Sequence, residues 1–216
     1  MTAFIRDMSD QTVFRVLAAA IFISVLFTRD GVRILAYLRT KPRPSLGDLV
    51  SDFLRNNRNA RVGSLLLLLL AFACFAGVFL FIANPDSMAW SQVPLPSGVR
   101  WLGAALAGFG AAGEIWGLVY LGRQYSALLR VREDHALIDG GPYAWVRHPM
   151  YSFGVPFVTG ISIMTANWFI FATGLLAIVA IVRRRVPEEE AMLLEAFGES
   201  YRRYTERTGR LFPRLR

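Results

Sequence analysis

The chain has 216 residues, of which 54% are hydrophobic and 19% are charged, and its mean hydropathy is +0.39. This balance excludes an ordinary soluble domain, and several stretches reach the roughly 20 apolar residues that a helix needs to cross a bilayer. The formal net charge of +8 is carried by 24 basic residues, of which only Lys41 is a lysine. The single cysteine, Cys74, lies in an apolar stretch, so a disulfide framework is excluded and a packing role is expected.

Five apolar segments follow one another along the chain. The first three are residues 12–28, 62–83 and 99–122, and residues 152–182 hold a fourth and a fifth. Asn167 and Trp168 mark a tight turn between the last two segments, which predicts a helical hairpin. The sequence therefore predicts an all-α, polytopic integral membrane protein with about five transmembrane helices.

Basic residues concentrate in the segments that separate these spans. Residues 29–61 hold eight, residues 123–151 hold four and residues 183–216 hold nine, whereas residues 84–98 hold none. An N-terminus outside and a C-terminus in the cytoplasm put all three basic segments on the cytoplasmic side, as the positive-inside rule predicts. Topology therefore explains the charge, and we expect no nucleic-acid partner. The arginine-rich composition is typical of bacterial chains, which suggests a bacterial inner membrane.

Residues 108–113, GFGAAG, match the dinucleotide-binding pattern G-x-G-x-x-G. That fingerprint needs a preceding strand within a βαβ unit, whereas these residues lie in an apolar segment. Gly103, Gly110 and Gly117 recur at heptad spacing, and Gly113 forms a GxxxG pair with Gly117. We interpret these glycines as a surface for close packing between membrane helices.

Glu114 is a carboxylate inside the third apolar segment, four residues after Gly110. An ionisable group at this depth is costly unless it is paired or hydrated, which makes it a candidate for function. Two interpretations stay open: a catalytic role, or an ion pair with an arginine near the cytoplasmic end of the span.

Residues 141–151, GPYAWVRHPMY, form a polar stretch between apolar segments. Two glycines and two prolines within 140–149 disfavour a continuous helix, so we predict a structured loop on the cytoplasmic side. Arg147 and His148 cluster with two tyrosines, which favours recognition of a polar ligand over a purely structural hydrogen bond at the histidine. His135 has no matching ligand spacing, so no metal site is predicted.

The tail predicts an amphipathic helix from residue 187 to about 204. Pro187 suits a first helical turn, and the three glutamates at 188–190 suit the positive end of the helix dipole. One apolar face recurs at helical spacing and consists of Leu193, Phe197, Tyr201 and Tyr204. This face suits either the membrane surface or a cover over a site.

Together, GPYAWVRHPMY and the later RVPEEEAMLLEAFGESYRRY resemble the isoprenylcysteine carboxyl methyltransferase family, whose members are integral membrane enzymes that use S-adenosylmethionine. The family pattern is Gly-Pro-Tyr, Arg-His-Pro-x-Tyr, an apolar hairpin, an arginine shortly before Glu-Glu, and a Phe-Gly…Tyr…Tyr helix. Every element is present in order across about residues 115–213. Arg-His-Pro by itself is shared with phospholipid methyltransferases and membrane sterol reductases.

We expect a single membrane-embedded domain over residues 1–216, with N-terminal spans in 1–114 and a cofactor-binding catalytic region in 115–216. The predicted cofactor contacts, most of them carried over from the resemblance by position, are Leu137, Gly141, Pro142, Tyr143, Arg147, His148, Tyr151, Glu189 and Glu190. The predicted catalytic residues are Arg185, which the resemblance places opposite the reacting carboxylate, Glu189 and Glu114. A third acid, Glu188, leaves the register of the glutamate pair open by one residue.

The resemblance implies methyl transfer from S-adenosylmethionine, with S-adenosylhomocysteine as product, to the carboxylate of a prenylcysteine-like acceptor. A carboxylate is ionised at pH 7, so positioning by an arginine suffices and no strong base is needed. The alternatives are N- or S-methylation of a phospholipid, small amine or thiol, an NADPH-dependent sterol-reductase-like activity, and a non-enzymatic membrane scaffold. The expected partners are a lipophilic or lipidated substrate and membrane lipids, and the oligomeric state stays open.

Overall fold

The computed structural model describes residues 2–38, 62–121 and 137–214, and within these ranges the chain folds into α-helices. They are α1 (Thr2–Leu38), α2 (Val62–Ala83), α3 (Ser97–Leu121), α4 (Pro149–Thr165), α5 (Trp168–Phe197) and α6 (Glu199–Arg207). Two short 3₁₀ helices, Pro85–Ser91 and Gly141–Ala144, lie between them. The predicted all-α class is confirmed.

Three of these helices are long and apolar enough to cross a membrane, through the stretches Asp10–Thr28, Leu65–Ala83 and Ser97–Leu121. They make the protein an integral membrane protein. The two hairpin helices are not among these candidate spans. Helix α4 has only 17 residues, and the apolar part of α5 ends at three successive arginines, 183–185. The count of five spans therefore stays a prediction.

Helices α3 and α4 pack against each other through glycines. A Cβ atom added to Gly110 would lie 2.4 Å from the backbone nitrogen of Phe157, and one added to Gly160 would lie 2.2 Å from that of Ala107. No side chain fits at such distances, so the glycines let the two backbones approach closely. The predicted packing role of the glycines in the third apolar segment is confirmed.

The turn between α4 and α5 is built by two residues. Ala166 adopts a left-handed conformation with φ 52°, and the side chain of Asn167 accepts a hydrogen bond from the backbone of Ile170 at 3.1 Å. Asn167 also donates to the Ser91 hydroxyl at 2.7 Å, which fixes the first 3₁₀ helix beside the turn. The predicted hairpin with a turn at this point is confirmed.

Helix α5 does not stop where the apolar stretch ends. It continues to Phe197 with Pro187 inside it, so the prediction that a separate helix begins at Pro187 is wrong. A proline removes one backbone hydrogen bond from a helix, and contacts of the following turn with the polar loop hold this one together. At 30 residues α5 is about 45 Å long, longer than the roughly 30 Å hydrocarbon core. The residue that follows its last turn and ends the helix is Gly198, whose φ is +51°.

Candidate active site

Gly141 begins the loop that carries most of the predicted site. Its φ of +58° lies in the left-handed region, and an added Cβ would lie 2.6 Å from the ring of Tyr120 at the end of α3. Only glycine suits both conditions. The following 3₁₀ turn buries Pro142 and Tyr143, and α4 begins at Pro149.

The loop is paired with a segment near the end of the chain, residues 208–211, which we call the C-terminal strap. The backbone amides of Arg147 and His148 donate to the carbonyl oxygens of Gly209 and Arg210 at 2.9 and 3.1 Å. These bonds satisfy backbone groups of an irregular, partly buried segment, which would otherwise be costly. The strap thus holds the loop in place at the start of α4.

His148 is buried between two glutamates of α5. Its Nδ1 atom lies 3.4 Å from Glu189 Oε2, and its Nε2 atom lies 3.4 Å from Glu190 Oε1. The ring stacks on Tyr151, with centroids 5.8 Å apart. Burial alone would lower the pKa of His148, but hydrogen bonds and charges from the two glutamates outweigh it and raise that pKa above its ordinary value.

Glu189 accepts hydrogen bonds from two further side chains. The Tyr151 hydroxyl donates to its Oε1 at 2.8 Å, and Arg185 Nε donates to the same oxygen at 2.9 Å. Burial would raise the pKa of Glu189, but the hydrogen bonds from His148, Arg185 and Tyr151 lower it below its ordinary value. Glu189 is therefore an anion at neutral pH.

Glu190 lies against the loop and the strap. Arg147 Nε donates to its Oε1 at 3.0 Å, and Arg210 forms an ion pair with its Oε2. Burial is again outweighed, and hydrogen bonds from His148, Arg210 and Arg147 lower the pKa of Glu190. Glu188 is exposed, so the two glutamates that face the loop are Glu189 and Glu190.

A single cavity of about 620 Å³ connects this polar cluster with the apolar interior. We call one part the polar end; it is lined by Arg147, His148, Tyr151, Arg185 and Glu189. We call the opposite part the apolar end; it is lined by Cys74, Val78, Ile161, Ile170 and Gly174. Ile170 and Glu189 are 19 residues apart on α5, which corresponds to about 28 Å along the helix.

The structure brings most of the predicted site residues together at this cavity. Those that line it are Leu137, Tyr143, Arg147, His148, Tyr151, Arg185, Glu189 and Glu114. The other three, Gly141, Pro142 and Glu190, are not among the described residues that line it, although Glu190 pairs with two that do, Arg147 and His148. The apolar face predicted for the tail also lines the cavity, so it covers the site; its residues are Leu193, Phe197, Tyr201 and Tyr204.

Glu114 lies between the two ends. It is half-buried on α3, and its Oε1 atom would be 3.3 Å from a Cβ added to Gly154 of α4. The carboxylate therefore faces the α4 side of the cavity, whose lining also includes Ile115 and Leu118 of α3.

Two parts of the site were missed by sequence reasoning. One is the C-terminal strap, whose arginine, Arg210, was counted with the topological charge of the tail. The other is the contribution of α1 and α2 to the apolar end. The only sequence signal for the strap is a glycine after the last helix, Gly209, and in the structure a Cβ there would collide with the Phe212 carbonyl oxygen.

Comparison with known proteins agrees with this architecture. A family model described as phospholipid methyltransferase matches residues 99–200. The structure superposes on that of a eukaryotic intramembrane Ras methyltransferase, isoprenylcysteine carboxyl methyltransferase, with a TM-score of 0.50 and 23% identity, covering 69% of this chain and 51% of the other. Residues 99–200 are therefore similar to the phospholipid methyltransferase family model, and the fold is similar to that of the membrane-embedded Ras methyltransferase.

Individual curated proteins are also similar in sequence to parts of this chain. Protein-S-isoprenylcysteine O-methyltransferase of Tribolium castaneum is 35% identical over 80 residues, covering 37% of this chain and 28% of the relative. The human protein of the same name is 35% identical over 75 residues, covering 35% and 26%. A probable counterpart from Oryza sativa subsp. indica is 27% identical over 111 residues, covering 50% and 58%. Over these stretches the chain is similar to protein-S-isoprenylcysteine O-methyltransferases, and it spans less than two thirds of the length of these relatives.

Proposed function

We propose that this chain is an S-adenosylmethionine-dependent methyltransferase that acts on the carboxylate of a lipophilic, prenylcysteine-like acceptor. The observation that carries the proposal is the continuous cavity. Its polar end suits a water-soluble donor, and its apolar end, about 28 Å away along α5, suits a hydrocarbon tail. The O-methyltransferase activity for which the similar proteins are named supports the same reaction class.

The polar end has suitable chemistry for S-adenosylmethionine. The anionic Glu189 can accept hydrogen bonds from ribose hydroxyls or an ammonium group. Leu137 and Tyr143 offer apolar contact for an adenine ring, and the aromatic ring of Tyr151 can face a cation. When bound, the cofactor supplies a methyl group on a cationic sulfonium. The residues proposed to bind the cofactor are those predicted from the sequence. Gly141, Pro142 and Glu190 are proposed to act through their neighbours on the cavity wall.

Arg185 is proposed to bind the acceptor carboxylate. Glu189 fixes its orientation through the 2.9 Å hydrogen bond to Nε, and both residues lie on the cavity wall. A guanidinium binds a carboxylate in a bidentate way, so the acceptor would be held beside the donor. An ionised acceptor needs no base, and the work of the site is positioning and exclusion of water.

The proposed topology has five spans, an outside N-terminus and a cytoplasmic C-terminus, in a bacterial inner membrane. It follows from the distribution of basic residues along the sequence. In this orientation the polar end opens towards the cytoplasm, from which the donor arrives, while the acceptor tail enters from the bilayer.

The alternative acceptor is the amine of a phospholipid. The description of the matching family model and the position of Glu114 in the cavity favour it. An ammonium group must lose a proton before it can be methylated, and Glu114 is a candidate base for that step. In that case Arg185 would keep its contact with Glu189 but would have no acceptor carboxylate to bind.

The first experiment is calorimetric titration of S-adenosylhomocysteine into the detergent-purified protein. Micromolar binding is expected, and its absence in well-folded protein would contradict the methyltransferase assignment.

The second experiment compares methyl transfer to N-acetyl-S-farnesylcysteine and to phosphatidylethanolamine in the wild type and in Arg185→Ala. We expect activity on the thioether carboxylate, reduced about a hundredfold in Arg185→Ala. Activity on the phospholipid that survives Arg185→Ala, and falls in Glu114→Gln, would instead assign N-methylation.

A further inference from the structure

We infer that Glu190 and Arg210 are positioning residues, and that the C-terminal strap completes the site by holding His148 against Glu189. The ligand in this inference is that of the proposed function, whereas the contacts of Glu190, Arg210 and His148 do not depend on that function. The inference gives the two adjacent glutamates different tasks, and it adds a segment that lies beyond the matched residues 99–200.

The two glutamates face different surroundings. Glu189 lies on the cavity wall, beside Tyr151 and Arg185. Both oxygens of Glu190 are engaged by the protein: Oε1 receives Arg147 and His148, and Oε2 receives Arg210. Both oxygens of Glu189 are engaged as well, but Glu189 lines the cavity and Glu190 is not among the described residues that line it. Glu189 is therefore the glutamate placed to contact a ligand there.

Glu190 also joins three separate parts of the chain. It belongs to α5, Arg147 belongs to the loop, and Arg210 belongs to the strap. Arg147 in turn donates from Nη1 to the carbonyl oxygens of Thr208 at 2.6 Å and Thr205 at 3.3 Å. Removing one carboxylate would therefore loosen the loop and the strap at the same time.

The position of His148 depends on this cluster. Each ring nitrogen faces a carboxylate, Nδ1 facing Glu189 and Nε2 facing Glu190, and both pairs are satisfied only when both nitrogens carry a proton. The backbone of the histidine is held by Arg210 in the strap. The ring is thus fixed in orientation, with its Nδ1 edge turned towards Glu189.

The charged and titratable groups around the His148 ring come from every neighbouring element. Glu189 and Glu190 face it from α5, backed by Arg185 and by Arg210 of the strap, and Tyr151 of α4 stacks on it. Of these groups, Glu190 and Arg210 are not among the described residues that line the cavity, so each can be neutralised without changing the cavity wall.

The first test is a double-mutant cycle on affinity for S-adenosylhomocysteine, measured by calorimetry in the full chain. Glu190→Gln and Arg210→Gln are each expected to weaken binding about tenfold. Because both residues act through one cluster, the double variant should lose little more affinity than the single variant that binds more weakly. The controls are Glu188→Gln, an exposed neighbour, and Arg202→Gln, whose ion pair with Glu199 is exposed; both should leave affinity within about twofold.

Two results would overturn the inference. Losses that multiply in the double variant would mean that Glu190 contacts the ligand by itself. Unchanged affinity in Arg210→Gln would mean that the strap has no part in the site. Arg210→Lys keeps the cation and should recover part of the affinity, so a loss equal to that of Arg210→Gln would also count against the inference.

The second test needs no ligand. The chain has two histidines, so His135→Asn leaves His148 as the only ¹⁵N-histidine signal in an NMR titration. Glu190→Gln in this background should lower the pKa of His148, whereas Glu188→Gln should not; an unchanged pKa in Glu190→Gln would refute the positioning role. If the wild type binds no S-adenosylhomocysteine, the proposed function fails, and this titration still decides the inference.

Discussion

The two ends of the cavity are built by opposite physical means. The polar end consists of directional hydrogen bonds and ion pairs that join a loop, a helix and the C-terminal strap. The apolar end is shaped by packing. On its wall, a Cβ added to Gly174 would lie 2.5 Å from Val158 Cγ1 and 3.0 Å from Cys74 Sγ. Directional contacts depend on a few atoms, whereas apolar packing depends on total volume. Single substitutions should therefore abolish function at the polar end and retune it at the apolar end.

The largest effect is expected from Glu189→Ala. It removes the hydrogen bonds to Tyr151 and Arg185 and leaves Arg185 and His148 facing each other without their shared anion. The ligand loses an anionic partner, and Arg185 loses the contact that fixes its orientation, so the Kd for S-adenosylhomocysteine should rise at least about a hundredfold. Calorimetry measures this, with Glu188→Ala as the exposed control. A rise of less than about threefold would show that the polar end does not depend on Glu189.

The next effect concerns the close contact between α3 and α4. Gly110→Val should lower the free energy of unfolding by about 3 kcal/mol, because backbone atoms of Phe157 occupy the space that the new side chain needs. Thermal unfolding in detergent checks this. The matched control is Gly108→Ala, two residues earlier on α3, where nothing lies within 4 Å of an added Cβ. Equal destabilisation by both variants would contradict the close α3–α4 contact.

A smaller effect is expected at the apolar end. Cys74→Phe adds a ring beside Gly174 and shortens the space for a tail, so the ratio of kcat/KM for a C20 over a C10 thioether acceptor should fall about tenfold. Affinity for S-adenosylhomocysteine should stay unchanged, because Cys74 lines only the apolar end. If both acceptors lose activity equally, or if cofactor affinity falls too, the two ends are not independent.

The smallest effect is a pH dependence of stability. The pKa of His148 is raised in the folded chain, so its stabilising contribution is complete below the ordinary value near 6.5 and is lost as pH rises through the folded pKa. A contribution of about 1 kcal/mol would lower Tm by roughly 2–4 °C between pH 6 and pH 9. The same decrease in His148→Gln would show that another group is responsible.

The fold was predictable from sequence wherever one segment carried its own signal. Long apolar runs predict α2 and α3, and Asn167 predicts the hairpin turn because its side chain caps the next helix. The passage of α5 through Pro187 was not predictable, because a proline after an apolar stretch ordinarily marks a new helix. Here the residues just beyond it, Glu189 and Glu190, are held by the loop and the strap, and those tertiary contacts override the local preference.

The polar end was predictable because short motifs bring its residues close in sequence as well as in space. His148 and Tyr151 share one motif, and Glu189 and Glu190 share the other. The strap was not predictable, since Arg210 carries no motif and its role comes from one ion pair with α5. Cys74 was expected to be a packing residue, and only the three-dimensional arrangement shows that it also lines the cavity.

The glycine contacts between α3 and α4 have a consequence for how such a protein can diversify. With backbone atoms of one helix where a Cβ of the other would lie, neither contact surface can accept a larger residue. Apart from Gly174, the described residues that α1, α2 and α5 contribute to the cavity are larger than glycine, so their side chains can change in size without a backbone clash of this kind. Adaptation to a tail of another length or shape would therefore accumulate on these three helices, while the α3–α4 pair stays fixed as an invariant spine.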